Sequence, residues 1–324
     1  MQNHRVRIYE HGDPSVLRYE PAPAAILAPG KGQVRLRHDA AGLNFIDTAF
    51  RDGSFGAALP FDMGVEGAGV VEAVGPGVTG IAAGDRVAYF FSFGAYADVR
   101  LIDAELLVKL PDDVSTELAA SILTKGLTAW MLLKRVHVLK AGETVLVTGA
   151  AGGVASLLVP WAAALGAKVI ATVGSPAKAA AVRAQGVAEV LDSHDPTLAA
   201  KARASAGGGV DVVYEFVGKA TIGQSVLALR EGGALVHVGN ASGAPDAGFQ
   251  AEVGARGLRY SKPATAQYVN SRALLEEASA EVFAARRAGV FGELKATRYA
   301  LSDVVRAHTD MAARRITGPA ILVP

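Results

Sequence analysis

Apolar and polar residues follow two different rhythms along this chain, and the change falls near residue 125. Up to that point short runs alternate between apolar and polar side chains and are broken by glycine and proline. Gln33-Val34-Arg35-Leu36-Arg37, Gly69-Val70-Val71-Glu72-Ala73-Val74-Gly75 and Asp85-Arg86-Val87-Ala88-Tyr89-Phe90 are examples. A period of two between tight turns predicts antiparallel β-strands. Beyond residue 125 the pattern predicts strands at Thr144–Thr148, Lys168–Val173, Glu189–Leu191, Val210–Tyr214 and Ala234–Val238. Between them it predicts helices at Val154–Leu165, Pro176–Gln185, near Pro196–Ala204 and near Ala220–Leu229. Strand and helix alternating at this spacing is the signature of a doubly wound parallel sheet. The unbroken apolar runs Val145-Leu146-Val147 and Val169-Ile170-Ala171 suit strands covered by helices on both faces.

A short strand, Leu258-Arg259-Tyr260, precedes a break at Lys262-Pro263. A long helix (Arg272–Ala288), a second helix near Leu301–Ala313 and a terminal apolar run, Ala320-Ile321-Leu322-Val323, follow. That tail lies outside the alternating unit and is expected to return to the first domain. The expected fold class is therefore α/β, with a doubly wound domain over 125–265 and a β-rich domain built from 1–124 and 266–324.

Composition agrees with two globular domains. The chain has 324 residues, 51% of them hydrophobic and 19% charged, so disorder is excluded on composition. Its 32 basic and 31 acidic side chains nearly cancel, leaving no field to gather nucleic acid or anionic lipid. There is no cysteine, which removes disulfides, thiol nucleophiles and any zinc site built on thiolates. A reducing, cytoplasmic setting is the default expectation. Thr144 to Ala167 carries no charge, yet Gly149, Gly152, Gly153 and Pro160 interrupt it, so a strand, a turn and a buried helix are expected there rather than a membrane span. No signal-peptide pattern opens the chain; Val6-Arg7-Ile8-Tyr9 alternates like a strand.

The sharpest local signal is Val147-Thr148-Gly149-Ala150-Ala151-Gly152-Gly153-Val154-Ala155, set between a predicted strand and a predicted helix. Small residues there let the backbone approach a pyrophosphate, and free N–H groups at a helix start bind its oxygens. Gly152, Gly153 and Val154 are the expected contacts. A site for NAD wants a carboxylate at the end of the second strand, to hold the ribose 2′-hydroxyl. Here that strand ends Ala171-Thr172-Val173-Gly174-Ser175, and Lys178 follows. A hydroxyl at Ser175 and an ammonium at Lys178 suit a 2′-phosphate, so the expected cofactor is NADPH, with Gly174 counted among its contacts.

Other chemistry is missing. The seven histidines form no short ligand pair, and no nucleophile elbow or Walker-type loop occurs. His237 falls in a predicted buried strand and is expected to be a satisfied core residue. Hydride transfer fits this inventory, because the cofactor carries the chemistry and the protein positions and polarises.

Gly42-Leu43-Asn44-Phe45-Ile46-Asp47-Thr48, Lys125-Gly126-Leu127-Thr128-Ala129, the Ala150–Val154 turn, Val238-Gly239-Asn240 and Thr317-Gly318 resemble the quinone oxidoreductase (zeta-crystallin-like) branch of the medium-chain dehydrogenase/reductase superfamily. The likeness runs from end to end. It implies a GroES-like catalytic domain, a Rossmann domain, a homodimer and an active site in the cleft between domains. In zinc-dependent relatives a cysteine stands where Asn44 is and a histidine precedes Glu66, whereas this chain reads Gly64-Val65-Glu66; a zinc-free enzyme is implied. Asn44 resembles the asparagine beside the nicotinamide, Thr128 the cleft threonine, Asn240 the residue under the cofactor, and Arg314 the late arginine near the 2′-phosphate. The tyrosine common at the 2′-phosphate is replaced by Ser193, followed by His194, and a pocket hydroxyl is replaced by Phe55.

The mechanism expected on this basis passes a hydride from NADPH to a quinone, with the Asn44 amide donating to the acceptor oxygen. Asp47 is expected near the substrate pocket as an ionised, structural hydrogen-bond acceptor, and the proton is expected from water. Phe55 and Phe91 through Phe93 are candidate walls for a ring. The alternatives are a reductase of activated C=C bonds in an enal, enone or enoyl thioester, and a non-catalytic NADPH-binding protein. Nucleic acid is disfavoured as a partner.

Overall fold

The structure is a computed structural model and describes residues 2–22 and 28–324. The described chain divides into two compact units. One comprises Met1–Lys125, Ser271–Phe283 and Leu294–Pro324; the other comprises Gly126–Asn270 and Ala284–Glu293.

The first unit is built on antiparallel strands, save for one parallel edge pair, Thr297–Ala300 with Ala320–Val323. A seven-stranded sheet runs in the order Thr297–Ala300, Ala320–Val323, Gln33–Leu43, Gly67–Val74, Arg86–Tyr89 and Leu107–Lys109, with Val99–Asp103 also paired to Gln33–Leu43. A three-stranded sheet joins Arg18–Pro21, His4–Ile8 and Phe61–Asp62. The terminal apolar run pairs antiparallel with the long strand that ends just before Asn44, Ala320 opposite Leu43. Alternation turns one face of each strand inward, so Val34, Leu36, Val71, Val87, Tyr89 and Leu107 form a single core with Leu301, Val304 and Leu322.

The second unit is the doubly wound sheet. Six parallel strands lie in the order Glu189–Asp192, Lys168–Val173, Thr144–Val147, Val210–Glu215, Leu229–His237 and Arg259–Ser261. The order reverses between Thr144–Val147 and Val210–Glu215, and ligands of such sheets bind outside the carboxyl ends of strands at that point. The charge-free stretch resolves into the strand Thr144–Val147, a turn and the ten-residue helix Ala155–Ala164, with Pro160 buried inside it. Among the described residues no helix is long and apolar enough to cross a membrane.

Four α-helices escape the sequence pattern: Phe45–Arg51, Thr116–Met131, Gly248–Ala255 and the single turn Thr265–Tyr268. Thr116–Met131 is buried on nearly every side, so it shows no polar stripe from which a period could be read. Phe45–Arg51 has only seven residues, too few to display a period.

Candidate active site

The strand Gln33–Leu43 delivers Asn44 to the N-cap of the helix Phe45–Arg51, with extended backbone angles there. Its side chain is buried among charged groups. Nδ2 donates to Glu66 Oε2 at 2.8 Å and more weakly to the Gly42 carbonyl at 3.3 Å, while Oδ1 accepts from Lys125 Nζ at 2.9 Å. An ammonium must face the amide oxygen and a carboxylate the amide nitrogen, so the partners fix which way the amide points. Glu66 is wholly buried, accepts from the Thr124 N–H at 2.7 Å and lies 3.4 Å from Lys125 Nζ. Gly42 makes room for this cluster: a Cβ there would come within 2.1 Å of Glu66 Oε2. These bonds bear on the donor role expected of Asn44. Both amide hydrogens are engaged, and only the long bond to the Gly42 carbonyl is weak enough to be exchanged for an acceptor oxygen.

Asp47 lies three residues on, at the helix position whose side chain reaches back to the N-cap. Its Oδ2 accepts from the Asn44 N–H at 2.8 Å and from the Tyr96 hydroxyl at 2.7 Å, and Oδ1 is buried without a hydrogen-bond partner. Two expectations are corrected here. The side chain is fully buried, so it does not line a pocket open to substrate. Nor does it keep the usual acidity, since burial pushes its pKa up to about 7 against the opposing pull of the Tyr96 and Asn44 hydrogen bonds and the Lys125 charge. The structural acceptor role expected for it matches the hydrogen bonds it makes. Tyr96 packs edge-on against His308, whose Nδ1 faces Arg51 Nη1 at 3.0 Å. Burial pulls His308 and His38 down to about 3, so both imidazoles are neutral at ordinary pH.

Phe55 stands at the edge of an aromatic group with Phe50, Phe61, Phe91 and Phe93, at ring separations of 4.9 to 6.5 Å. Phe50 is buried, whereas Phe55 is 61% exposed and Phe91 and Phe93 are also exposed. These rings are partly core and partly surface; of the exposed ones, Phe55 follows the helix that Asn44 caps, and Phe91 and Phe93 follow the strand Arg86–Tyr89.

In the second unit the glycine turn follows the central strand. Gly149 takes a left-handed φ of 61°, which turns the chain sharply before Ala150. Gly152 is exposed and Gly153 and Val154 are half-buried just ahead of the helix Ala155–Ala164. Thr148, one residue before the turn, bonds Glu215 Oε1 at 2.8 Å and accepts from the Phe216 N–H at 2.9 Å, so the switch-point strands are tied at their carboxyl ends. Gly174 and Ser175 follow the second strand, Ser175 capping the helix Pro176–Arg183 that carries Lys178. Ser193 lies beside them, its N–H bonded to the Val173 carbonyl at 2.9 Å. His237 is satisfied as expected, between Tyr260 Oη at 3.1 Å and Asn240 Oδ1 at 2.8 Å, which also holds the Asn240 amide. Thr128 shares a hydroxyl bond with Thr265 at 3.0 Å. Arg314 belongs to the first unit, at the end of the helix Val304–Ala312, with a left-handed φ of 55°.

Gly152, Gly153, Val154, Gly174, Ser175, Ser193 and Asn240 thus gather at or just beyond the carboxyl ends of the parallel strands, while Asn44 and Asp47 form a separate cluster in the first unit. Sequence reasoning quoted Glu66 and Lys125 without giving either a role and overlooked Tyr96 and Glu215. A carboxylate and a lysine in otherwise apolar surroundings were the available signal, since buried charges are paired.

Comparisons with known proteins bear on this geometry. Residues 30–112 match the family described as alcohol dehydrogenase GroES-like domain, and residues 153–262 match zinc-binding dehydrogenase. A quinone oxidoreductase of Pseudomonas aeruginosa is 40% identical over 326 residues, covering 99% of both chains. The chain belongs to the quinone oxidoreductase branch of the medium-chain dehydrogenase/reductase superfamily. Another relative is the 2-haloacrylate reductase of a Burkholderia species, 38% identical over 98% of both chains. Among solved structures, Escherichia coli quinone oxidoreductase complexed with NADPH superposes with a TM-score of 0.94 at 36% identity, covering 99% of this chain and all of that one.

The wider family's name speaks of zinc, and the residues of this quinone oxidoreductase homologue do not fit it. The chain has no thiolate to offer, and the Asn44 amide is bonded to both Glu66 and Lys125. The Lys125 ammonium against Glu66 supplies positive charge there, and among the described residues no group of three or more His, Cys, Asp or Glu side chains could hold a metal ion.

Proposed function

We propose that this protein is an NADPH-dependent, zinc-independent oxidoreductase that reduces quinones. The observation that carries the reading is the buried Asn44–Glu66–Lys125 cluster, a polarised amide held by a charge pair where no metal can sit, on a chain that matches quinone oxidoreductases along its whole length. The first unit, which follows the expected segments 1–124 and 266–324 except that 266–270 and 284–293 fall with the other, acts as the catalytic domain, and the second acts as the NADPH domain. NADPH, when bound, supplies the hydride.

The chain's own residues do the positioning. The backbone of Gly152, Gly153 and Val154 meets the pyrophosphate at the start of a helix. Gly174, Ser175, Lys178 and Ser193 receive the 2′-phosphate, with Arg314 adding charge. Thr128 and Asn240 serve the nicotinamide end, where Asn44 also acts. Lys125 polarises the Asn44 amide, which makes the amide hydrogen now spent on the Gly42 carbonyl a better donor to charge on an acceptor oxygen. Phe55 and its neighbouring rings offer a flat apolar face to a quinone, and the proton reaches the product from water. The protein acts as a homodimer in a reducing, cytoplasmic setting, a reading supported by the family and by the absence of cysteine.

The test is loss of NADPH absorbance with 1,4-benzoquinone and, separately, a 2-enal, with NADH as the control. Fast turnover of the quinone with NADPH is expected. Turnover of the enal alone transfers the protein to the second reading, reduction of activated C=C bonds, which the 38% identity to 2-haloacrylate reductase and the missing hydroxyl at Phe55 favour. Light scattering on the purified chain tests the dimer.

A further inference from the structure

The edge of the parallel sheet holds a group that the site described above does not use. Gly174 follows the strand Lys168–Val173, and its neighbour in register is the end of Glu189–Asp192, Val173 pairing with Asp192. Gly174 has no left-handed φ, so its backbone does not require glycine. What matters is the space above it. A Cβ built there has two side-chain atoms in van der Waals contact, Ser193 Oγ at 3.5 Å and His194 Nε2 at 3.6 Å. A hydroxyl and an imidazole nitrogen thus converge on one exposed point at the carboxyl end of the second strand.

In doubly wound sheets that position meets the 2′ oxygen of the adenosine ribose. A carboxylate there would receive a hydroxyl, whereas the side chains that converge on this point, Ser193 and His194, can donate, and the helix that follows opens at Ser175 and carries Lys178. The nearby acids are occupied. Asp192 Oδ1 accepts from the His194 N–H at 2.9 Å, and Asp195 is held by the Thr197 N–H and hydroxyl and by Lys201. The same contacts fix the loop through the backbone of residue 194, so the ring is free of structural duty.

We propose that His194 is a ligand of the cofactor's 2′-phosphate, donating from Nε2, and that with Ser193 it sets the preference for NADPH over NADH. The proposal rests on the NADPH reading and adds a residue to it. Because the main-chain N–H makes the loop contact, His194→Ala deletes the ring and leaves the turn.

The test is direct binding by calorimetry, without turnover, of NADPH, NADH, adenosine 2′,5′-bisphosphate and AMP to the wild type, His194→Ala and His194→Gln. A charge-assisted hydrogen bond lost from the phosphate should weaken NADPH and the bisphosphate by about tenfold in His194→Ala, equivalent to ~1.4 kcal/mol. NADH and AMP should be unmoved, and His194→Gln, which keeps an N–H near that reach, should restore part of the loss. Equal weakening of NADH and NADPH would mean that the loop itself had shifted and would overturn the proposal, as would unchanged NADPH affinity. A wild type that binds NADH as tightly as NADPH would instead overturn the cofactor reading beneath it.

Discussion

Each of the two units buries one glutamate completely, and they keep the two carboxylates in opposite ways. Glu66, in the first unit, faces an ammonium: Lys125 Nζ lies 3.4 Å away, and both groups are bonded to Asn44. Glu215, in the second, has no cation among its hydrogen-bond partners. Its Oε1 accepts from Thr148 Oγ1 at 2.8 Å, Val217 N at 2.7 Å, Gly218 N at 3.0 Å and Thr221 Oγ1 at 2.8 Å, and its Oε2 accepts from the Ser225 hydroxyl. A buried charge can be stabilised by an opposite charge or by dipoles aimed at it. The ammonium leaves Glu66 with capacity to orient a third group, the Asn44 amide, where acceptor chemistry is proposed. The dipoles of Glu215 come from a strand end, a loop and a helix, so satisfying it fixes the backbone beside the glycine turn. One arrangement polarises a side chain and the other holds a scaffold.

The largest effect expected from breaking this contrast is Lys125→Met. It leaves Glu66 buried without its cation, a loss of about 3–5 kcal/mol for a broken buried pair. The denaturant midpoint should fall accordingly, and adding Glu66→Gln should recover part of the loss. Quinone turnover should fall further than stability predicts, because the Asn44 amide loses the partner of its oxygen. A stability change no larger than that of an exposed lysine would show that the pair is not formed.

Glu215→Gln sharpens the comparison from the other side. The amide oxygen keeps the four donors now on Oε1, and the new N–H₂ can donate to the Ser225 hydroxyl, which reverses its role. The expected cost is about 1 kcal/mol, that of one ordinary hydrogen bond. Glu66→Gln, which strands an ammonium, should cost clearly more. Equal losses from the two glutamines, read from parallel unfolding curves, would erase the distinction between ion pair and dipole cage.

A smaller effect separates Asp47 from both glutamates, since neither cation nor dipoles fully compensate its burial. Its folded pKa of about 7 lies above the ordinary aspartate value of 3.8, so its contribution to stability is lost as pH rises through that interval. His38 and His308 run the other way. Their folded values near 3 lie below 6.5, so stability is lost as pH falls from about 6.5 towards 3. Two histidines outweigh one aspartate at acid pH, and only between about 6.5 and 7 does Asp47 act alone. The net decline there is at most about 1 kcal/mol, and Asp47→Asn should remove it and move the stability maximum upward. Thermal unfolding from pH 5 to 8 gives both curves; an unmoved maximum would mean that Asp47 titrates normally.

The same contrast marks what was legible in the sequence. The parallel sheet could be read strand by strand, because runs such as Val145-Leu146-Val147 are apolar on both faces and sit between glycine turns. The helix Thr116–Met131 could not, because burial on nearly all sides removes its period. Site residues divide likewise. Gly152, Gly153 and Ser175 are proposed from local position alone, since a turn or a strand end places them, whereas Ser193 and Asn44 entered only through the family resemblance. Asn44 was found, yet its hydrogen-bond state depends on Glu66 and Lys125, 22 and 81 residues away in sequence. Separations of that kind leave no local pattern, and the burial of Asp47 and its raised pKa were hidden for the same reason.

The smallest expected effect concerns the apolar face rather than the charges. Phe55 is 61% exposed, and a hydroxyl at its ring edge would meet water before any acceptor arrived. Phe55→Tyr should therefore leave stability within about 0.5 kcal/mol of the parent, as for other surface changes. If this ring borders the acceptor, the added O–H can donate to a quinone oxygen, worth about 1 kcal/mol or roughly a fivefold lower KM. An enal, with its single carbonyl, should gain less, and NADPH affinity should not change, because nothing proposed for the cofactor touches Phe55. Steady-state kinetics with both acceptors at saturating NADPH separate the cases. A fall in KM for benzoquinone alone places the acceptor against the aromatic group and ties Phe55 to the chemistry proposed for Asn44. An unchanged KM for both acceptors would detach Phe55 from the site and leave its ring as the rim of a core that begins at Phe50.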